Sequence, residues 1–153
     1  MKKLLQTNFR IIILLFTICI FSGCQPKDEI QELCDHYNSI SPVMIDAQTE
    51  LLGVLYTDAF FTFDYKIKGY DSEEKQDIVL QVLLEEQLEE QVKKSNEEFD
   101  LLRKKGLNLG YQYKDQNDKY CIYIYFSVNQ AGEYYLNTEL GERMSEMFKK
   151  NNL

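Results

Sequence analysis

A chain of 153 residues with a formal net charge of −8 has room for one domain once a removable leader is set aside. The first 23 residues hold Lys2, Lys3 and Arg10 and no acid, so the remainder carries 14 basic side chains (17 less those three) against 25 acidic ones, a net charge of −11. That balance excludes a nucleic-acid surface, which needs clustered Lys and Arg, and it excludes a polybasic grip on anionic lipid. Eleven tyrosines and many branched residues nevertheless supply a core, which a disordered acidic tail lacks.

At the N-terminus Lys2, Lys3 and Arg10 form a positive region, Ile11 to Phe21 an apolar one, and Ser22-Gly23 the small residues that precede a peptidase cut. A run of eleven residues falls short of the ~20 that cross a bilayer, and Gln25, Pro26, Lys27 and Asp28 stop it, so the segment reads as a secretory signal. Phe21-Ser22-Gly23-Cys24 resembles the lipobox of bacterial lipoproteins, with Phe21 where that family most often has Leu. The resemblance implies cleavage between Gly23 and Cys24 and acylation of the Cys24 thiol. It divides the chain into a signal peptide (1–23), a lipidated tether (24–29) and a single domain (30–153). At ~0.8 kcal/mol per buried CH₂, two or three acyl chains hold such a protein on a membrane essentially permanently. The alternative is an incidental cysteine beside a plain secretory cut. Gln25 to Glu29 is similar to the Lys-acidic-acidic export signals of some Bacteroidetes surface lipoproteins; a charged, solvated tether reads equally well. Gln25 is not the Asp that resembles inner-membrane retention. The implied location is the bacterial envelope, the outer membrane or cell surface ahead of the inner membrane, with outer leaflet, periplasmic face and Gram-positive surface all open.

Ile30, Leu33, Cys34, Tyr37 and Ile40 recur at helical spacing, and Ser41-Pro42 ends that helix. Thr49–Tyr56 reads as a strand. After a turn at Thr57-Asp58-Ala59, Phe61, Phe63, Tyr65 and Ile67 alternate with Thr62, Asp64, Lys66 and Lys68, which predicts a hairpin with one wet face. Asp71 and Glu74 suggest a capping box opening a long helix to Lys105, stopped by Gly106, with Leu84, Leu88, Val92, Phe99 and Leu102 as its buried stripe and a candidate break at Ser95-Asn96. Its Glu-rich face reads as solvated rather than as an acidic docking surface. Leu107–Tyr113 and Tyr120–Val128 flank Asp115-Gln116-Asn117-Asp118 as a second hairpin, whose return strand is apolar on both sides and reads as central. A helix behind Asn137, with Leu140, Met144, Met147 and Phe148 apolar, closes the chain. The expected fold is α+β, an antiparallel sheet of about four strands in the order α-ββ-α-ββ-α with helices packed on one face. Over residues 45 to 130 the paired hairpins and Tyr-x-Tyr strand resemble small bacterial envelope lipoproteins, a resemblance that implies no activity.

Chemistry is harder to find. His36 lies two residues from Cys34, and such a spacing on a helix points the two side chains apart, so they make no nucleophile–base pair. Neither zinc-ligand spacing nor a phosphate-binding glycine loop occurs, and Asp115 to Asp118 lacks the glycine and glutamate of a calcium loop. No catalytic, metal or cofactor residue is therefore assigned. With Cys19 in the leader and Cys24 acylated, Cys34 and Cys121 remain as a candidate disulfide, worth ~4 kcal/mol on the chain-entropy model, or as two separate buried thiols. Tyr111, Tyr113, Tyr123 and Tyr125 form a candidate aromatic binding face, with core packing as the alternative. The leading functional expectation is a non-enzymatic envelope lipoprotein held to the membrane by its lipid and binding a protein or glycan partner, with no nucleic acid. A carboxylate-based hydrolase and a structural accessory subunit are the alternatives.

Overall fold

The computed structural model describes residues 28–94 and 96–150. The expected leader, the Gly23–Cys24 junction and the tether as far as Lys27 lie outside the described residues. In chain order the described elements are α1 (Glu29–Ile40), β1 (Val43–Met44), β2 (Thr49–Tyr56), β3 (Phe60–Ile67), α2 (Glu74–Lys93), α3 (Glu97–Lys104), β4 (Asn108–Lys114), β5 (Tyr120–Val128), β6 (Tyr134–Leu136) and α4 (Thr138–Lys150). No described helix is long and apolar enough to cross a membrane.

The strands form one mixed sheet in sequential order, β1 to β6. Both expected hairpins form, but β3 and β4 pair in parallel, from Phe60 opposite Asn108 to Lys66 opposite Lys114. The expected four-stranded antiparallel sheet is thus corrected to six strands with a parallel seam at its centre. The reason is the crossover: α2 and α3 carry the chain back along the sheet, so the strand that follows must run the same way as β3. The added strands, β1 and β6, are two and three residues long, too short to show alternation. The return strand β5 is fifth of six rather than central, and it is apolar on both sides because helices cover both of its faces.

One face of the sheet packs Phe61, Phe63, Leu109, Tyr111, Tyr113, Ile122, Ile124 and Phe126 against Ile30 and Cys34 of α1, Leu88 and Val92 of α2, and Leu102 of α3. On the opposite face α4 lies over β5: the Phe148 ring stacks on Tyr123 at 5.2 Å, and a Cβ on Gly141 would come within 3.0 Å of the Tyr123 carbonyl. The expectation of helices on one face is corrected accordingly. Strand alternation requires the second layer, since Tyr123 and Tyr125 point away from Ile122, Ile124 and Phe126.

Local signals hold at most helix ends. Asp28, Asn96 and Asn137 accept from the backbone N–H groups of Ile30, Phe99 and Leu140. Gly106 has φ +69° beyond α3, the left-handed conformation that glycine adopts without a Cβ penalty. The helix does divide after Lys94, with Asn96 opening the second part. The Asp71–Glu74 capping box does not form. Instead α2 starts at Glu74, Asp71 accepts from Asn117 Nδ2 at 2.6 Å, and Asp77 collects the hydroxyls of Tyr70 and Ser72 at 2.6 and 2.7 Å. Buried Asp115 organises the β4–β5 turn by accepting from Asn117 and Lys119 N–H, and it also takes Ser72 N–H, which ties the turn to the start of α2. At the outer edge of β2, beyond the reach of β1, the Asn38 amide of α1 accepts from Val54 N–H at 2.7 Å and donates to its carbonyl at 2.9 Å, standing in for a strand.

Candidate functional site

The four tyrosines expected to share a binding face are divided between the two faces of the sheet. Tyr111 and Tyr113 pair across the ladder with Ile124 and Ile122, whereas Tyr123 and Tyr125 pair with Gln112 and Gly110 on the other side. All four are buried, at 1 to 4 % exposure, so they are core and α4 packing rather than a surface for sugar rings. Burial raises the pKa of each phenol and keeps it neutral.

Cys34 and Cys121 are free thiols held apart in the structure. Cys34 lies against the Val54 carbonyl of β2 at 3.6 Å, and Cys121, on β5, against the Tyr113 carbonyl of β4 at 3.4 Å. Strands β3 and β4 separate β2 from β5, about 14 Å at the usual ladder spacing, twice the Cα reach of a disulfide. Of the two alternatives, the structure has the two separate thiols. Burial, aided by Asp77 and Asp115, pushes the Cys121 thiol up to about 12, and burial with Asp35 raises Cys34, so neither is poised as a nucleophile. His36 is exposed on α1 beside the Tyr37 ring, turned away from buried Cys34.

Two surfaces remain. The first is a polar cluster on the α4 side of the sheet. Asp64 Oδ2 accepts from Lys114 Nζ at 3.0 Å and from the Tyr120 hydroxyl at 3.3 Å, while Asp64 Oδ1 is buried without a protein donor. Beside it, Lys66 pairs with exposed Asp118 at 2.7 Å. Burial disfavours the Lys114 ammonium, but its hydrogen bonds to Tyr120 and Asp64 outweigh that and raise its pKa. A lysine held charged neither takes up a proton nor attacks a carbonyl, so the cluster is a charge-compensated ladder across β3, β4 and β5. Among the described residues no group of three or more His, Cys, Asp or Glu could hold a metal ion.

The second surface is the outer face of α2. Ile78, Val79, Val82 and Leu83 are 61, 62, 50 and 54 % exposed, next to one another on the helix. At 100° per residue they fall in one arc of about 140° with Lys75 and Glu86, opposite the core-facing Leu80, Leu84, Leu88 and Val92. The helix is apolar on two sides over its first half, and only one is needed for the fold. Beside this face, Ile67, Tyr70, Val79, Leu80 and Leu83 line an open cleft of about 440 Å³ between α2 and the end of β3, with Lys68 and Lys75 at its rim. Sequence reading missed this surface because it traced only the stripe that joins the core. The signal was present as IVLQVLL, an apolar run too continuous for a single face.

The fold defined by these elements is an α+β domain with a six-stranded mixed sheet clothed by helices on both sides. No family model matches the chain, and no curated protein matches it in sequence. Among solved structures it is similar to the crystal structure of a "putative secreted protein" from Pseudomonas aeruginosa, with a TM-score of 0.54 and 13% identity, over 72% of this chain and 98% of that one. At that identity the likeness defines a shared fold and no shared activity.

Proposed function

We propose that this chain is a lipid-anchored protein of the bacterial envelope, acylated at Cys24, whose domain is a non-enzymatic module that binds a protein partner through the outer face of α2. The observation that carries the binding role is the contiguous apolar face of Ile78, Val79, Val82 and Leu83, which the monomer leaves in water at a cost that docking would recover. Aliphatic rather than aromatic exposure favours a protein partner over a glycan. The positive region, apolar run and Ser22-Gly23-Cys24 junction support export and anchoring. The likeness to a protein described as secreted agrees with export.

The anchor also gives the domain a sense of direction. Asp28 follows Cys24 by four residue steps, a span of at most ~14 Å. The Asp28 carboxylate accepts from the Tyr56 hydroxyl at 2.9 Å, so the tether enters at the Tyr56 end of β2. The cleft opens at the other end, beside Gln48 and Ile67, roughly 23 Å away along an eight-residue strand. A partner docking there approaches the side of the domain remote from its anchor.

Two measurements test the reading. Cys24→Ala abolishes lipid labelling and leaves unprocessed precursor; labelling that persists in this variant sinks the anchor. Chemical crosslinking of the membrane-anchored protein yields a defined protein adduct that Ile78→Asp with Leu83→Asp removes. An unchanged adduct pattern in the double variant sinks the α2 docking face.

A further inference from the structure

We infer that the partner seated on the outer face of α2 is a second copy of this chain, related by a two-fold axis that pairs the two α2 helices antiparallel. The inference rests on reading that face as a docking surface and adds the identity of its occupant.

The face is self-complementary about one point. Its midpoint falls between Leu80 and Gln81, and an antiparallel copy turned about that point sets Val79 against Val82 of the partner subunit, twice by symmetry, with Ile78 flanking this pair along one edge of the seam and Leu83 along the other. The same operation brings Lys75 opposite Glu86 at both ends of the apolar centre. Both of these residues are exposed, lie in the arc of the apolar stripe, and take part in no ion pair among the described residues. A parallel pairing would instead stack Lys75 on Lys75 and Glu86 on Glu86, so the charges select the antiparallel sense. Positions 75, 79, 82 and 86 also step by four, three and four, the spacing by which two helices interlock along a seam.

The apolar stripe exposes on the order of 400 Å² per copy, within the range that marks functional patches on monomers. Pairing two such stripes with their charged flanks gives an interface at the small end of specific contacts, hence a reversible dimer rather than an obligate one. Confinement to one membrane surface raises the local concentration that such a contact needs.

The test uses the full chain in its membrane with a single reporter, Val82→Cys. Helices in contact lie 8–10 Å apart, and the two copies of position 82 are offset along the axis by about 4.5 Å, so the thiols come within roughly 10 Å. A bismaleimide of that length is expected to give a covalent dimer at position 82 that the chain without the reporter does not give. Lys75→Glu or Glu86→Lys alone, each placing like charges at both ends, lowers dimer yield at least fivefold. Lys75→Glu together with Glu86→Lys restores it to within twofold. Thermal unfolding checks that both surface changes leave the fold intact. Single swaps without effect, or a double swap that fails to restore the yield, overturn the inference. An adduct to a different protein at position 82 also overturns it while preserving the docking face, whereas no adduct of any kind overturns both.

Discussion

Leu83 and Leu88 sit on the same helix and point about 140° apart, and truncating each to alanine separates docking from folding. Leu88 is 6 % exposed and packs with Val92 in the core. Leu88→Ala removes its buried methyl groups and leaves a cavity, at a cost of about 3 kcal/mol within the usual range for such sites. For a domain of this size that is a fall in Tm of roughly 10–20 °C. Leu83 is 54 % exposed, so Leu83→Ala takes from the monomer only the half of the side chain already covered, below about 1 kcal/mol. What it removes is the half that docking would bury, about 1–1.5 kcal/mol per copy and so about 2–3 kcal/mol for a symmetric pair, or roughly 30- to 150-fold in affinity. The expected result is a crossed pattern: thermal unfolding followed by circular dichroism shifts for Leu88→Ala and barely for Leu83→Ala, while crosslinked adduct falls for Leu83→Ala at temperatures where both remain folded. Equal destabilisation by the two changes, or full adduct yield from Leu83→Ala, would refute the two-sided reading of α2.

Gly110→Ala is expected to destabilise by about 2–4 kcal/mol in urea unfolding, because its Cβ would stand 2.7 Å from Thr62 Oγ1 and 2.7 Å from a Tyr125 ring carbon, displacing a ring whose hydroxyl holds Gln112 Nε2 at 2.5 Å; a change below about 0.5 kcal/mol rules out that close approach. Raised pKa values at Tyr65, Tyr111, Tyr113, Tyr123 and Tyr134, caused first by burial, mean that these phenols keep their protons longer when folded. Their contribution is complete below the unfolded value of about 10 and is lost as pH rises through the higher folded values. An ultraviolet titration is therefore expected to show their ionisation only together with loss of the circular dichroism signal, and ionisation near pH 10 in a still-folded protein contradicts their burial. Alkylation of freshly isolated, denatured protein without reductant is expected to modify both Cys34 and Cys121, and slowly if at all in the folded state; a mass two hydrogens short, restored by reductant, contradicts their separation.

The elements were largely legible because their signals are local. Helical spacing in α1, alternation in β3, the cap residues Asn96 and Asn137, and Gly106 each report bonds made within a few residues. Fold order was harder. The contact that turns two hairpins into one mixed sheet joins Phe60 to Asn108, and neither strand carries a mark of its neighbour's direction. The division of the four tyrosines likewise depends on pairing: Tyr111 opposite Ile124 sends Tyr123 to the other face, while a bulge beside Tyr113 and Lys114 returns Tyr120 to the side of Tyr123.

By itself the sequence determined the acidic balance, most helices and the two hairpins, since each follows from composition or from neighbours along the chain. Only the tertiary structure decided that β3 and β4 run parallel, that Cys34 and Cys121 lie on separate strands' carbonyls, and that the second apolar side of α2 has nothing packed upon it among the described residues. A side chain's hydrophobicity is written in its identity, but whether water or another residue covers it depends on elements that meet only after folding.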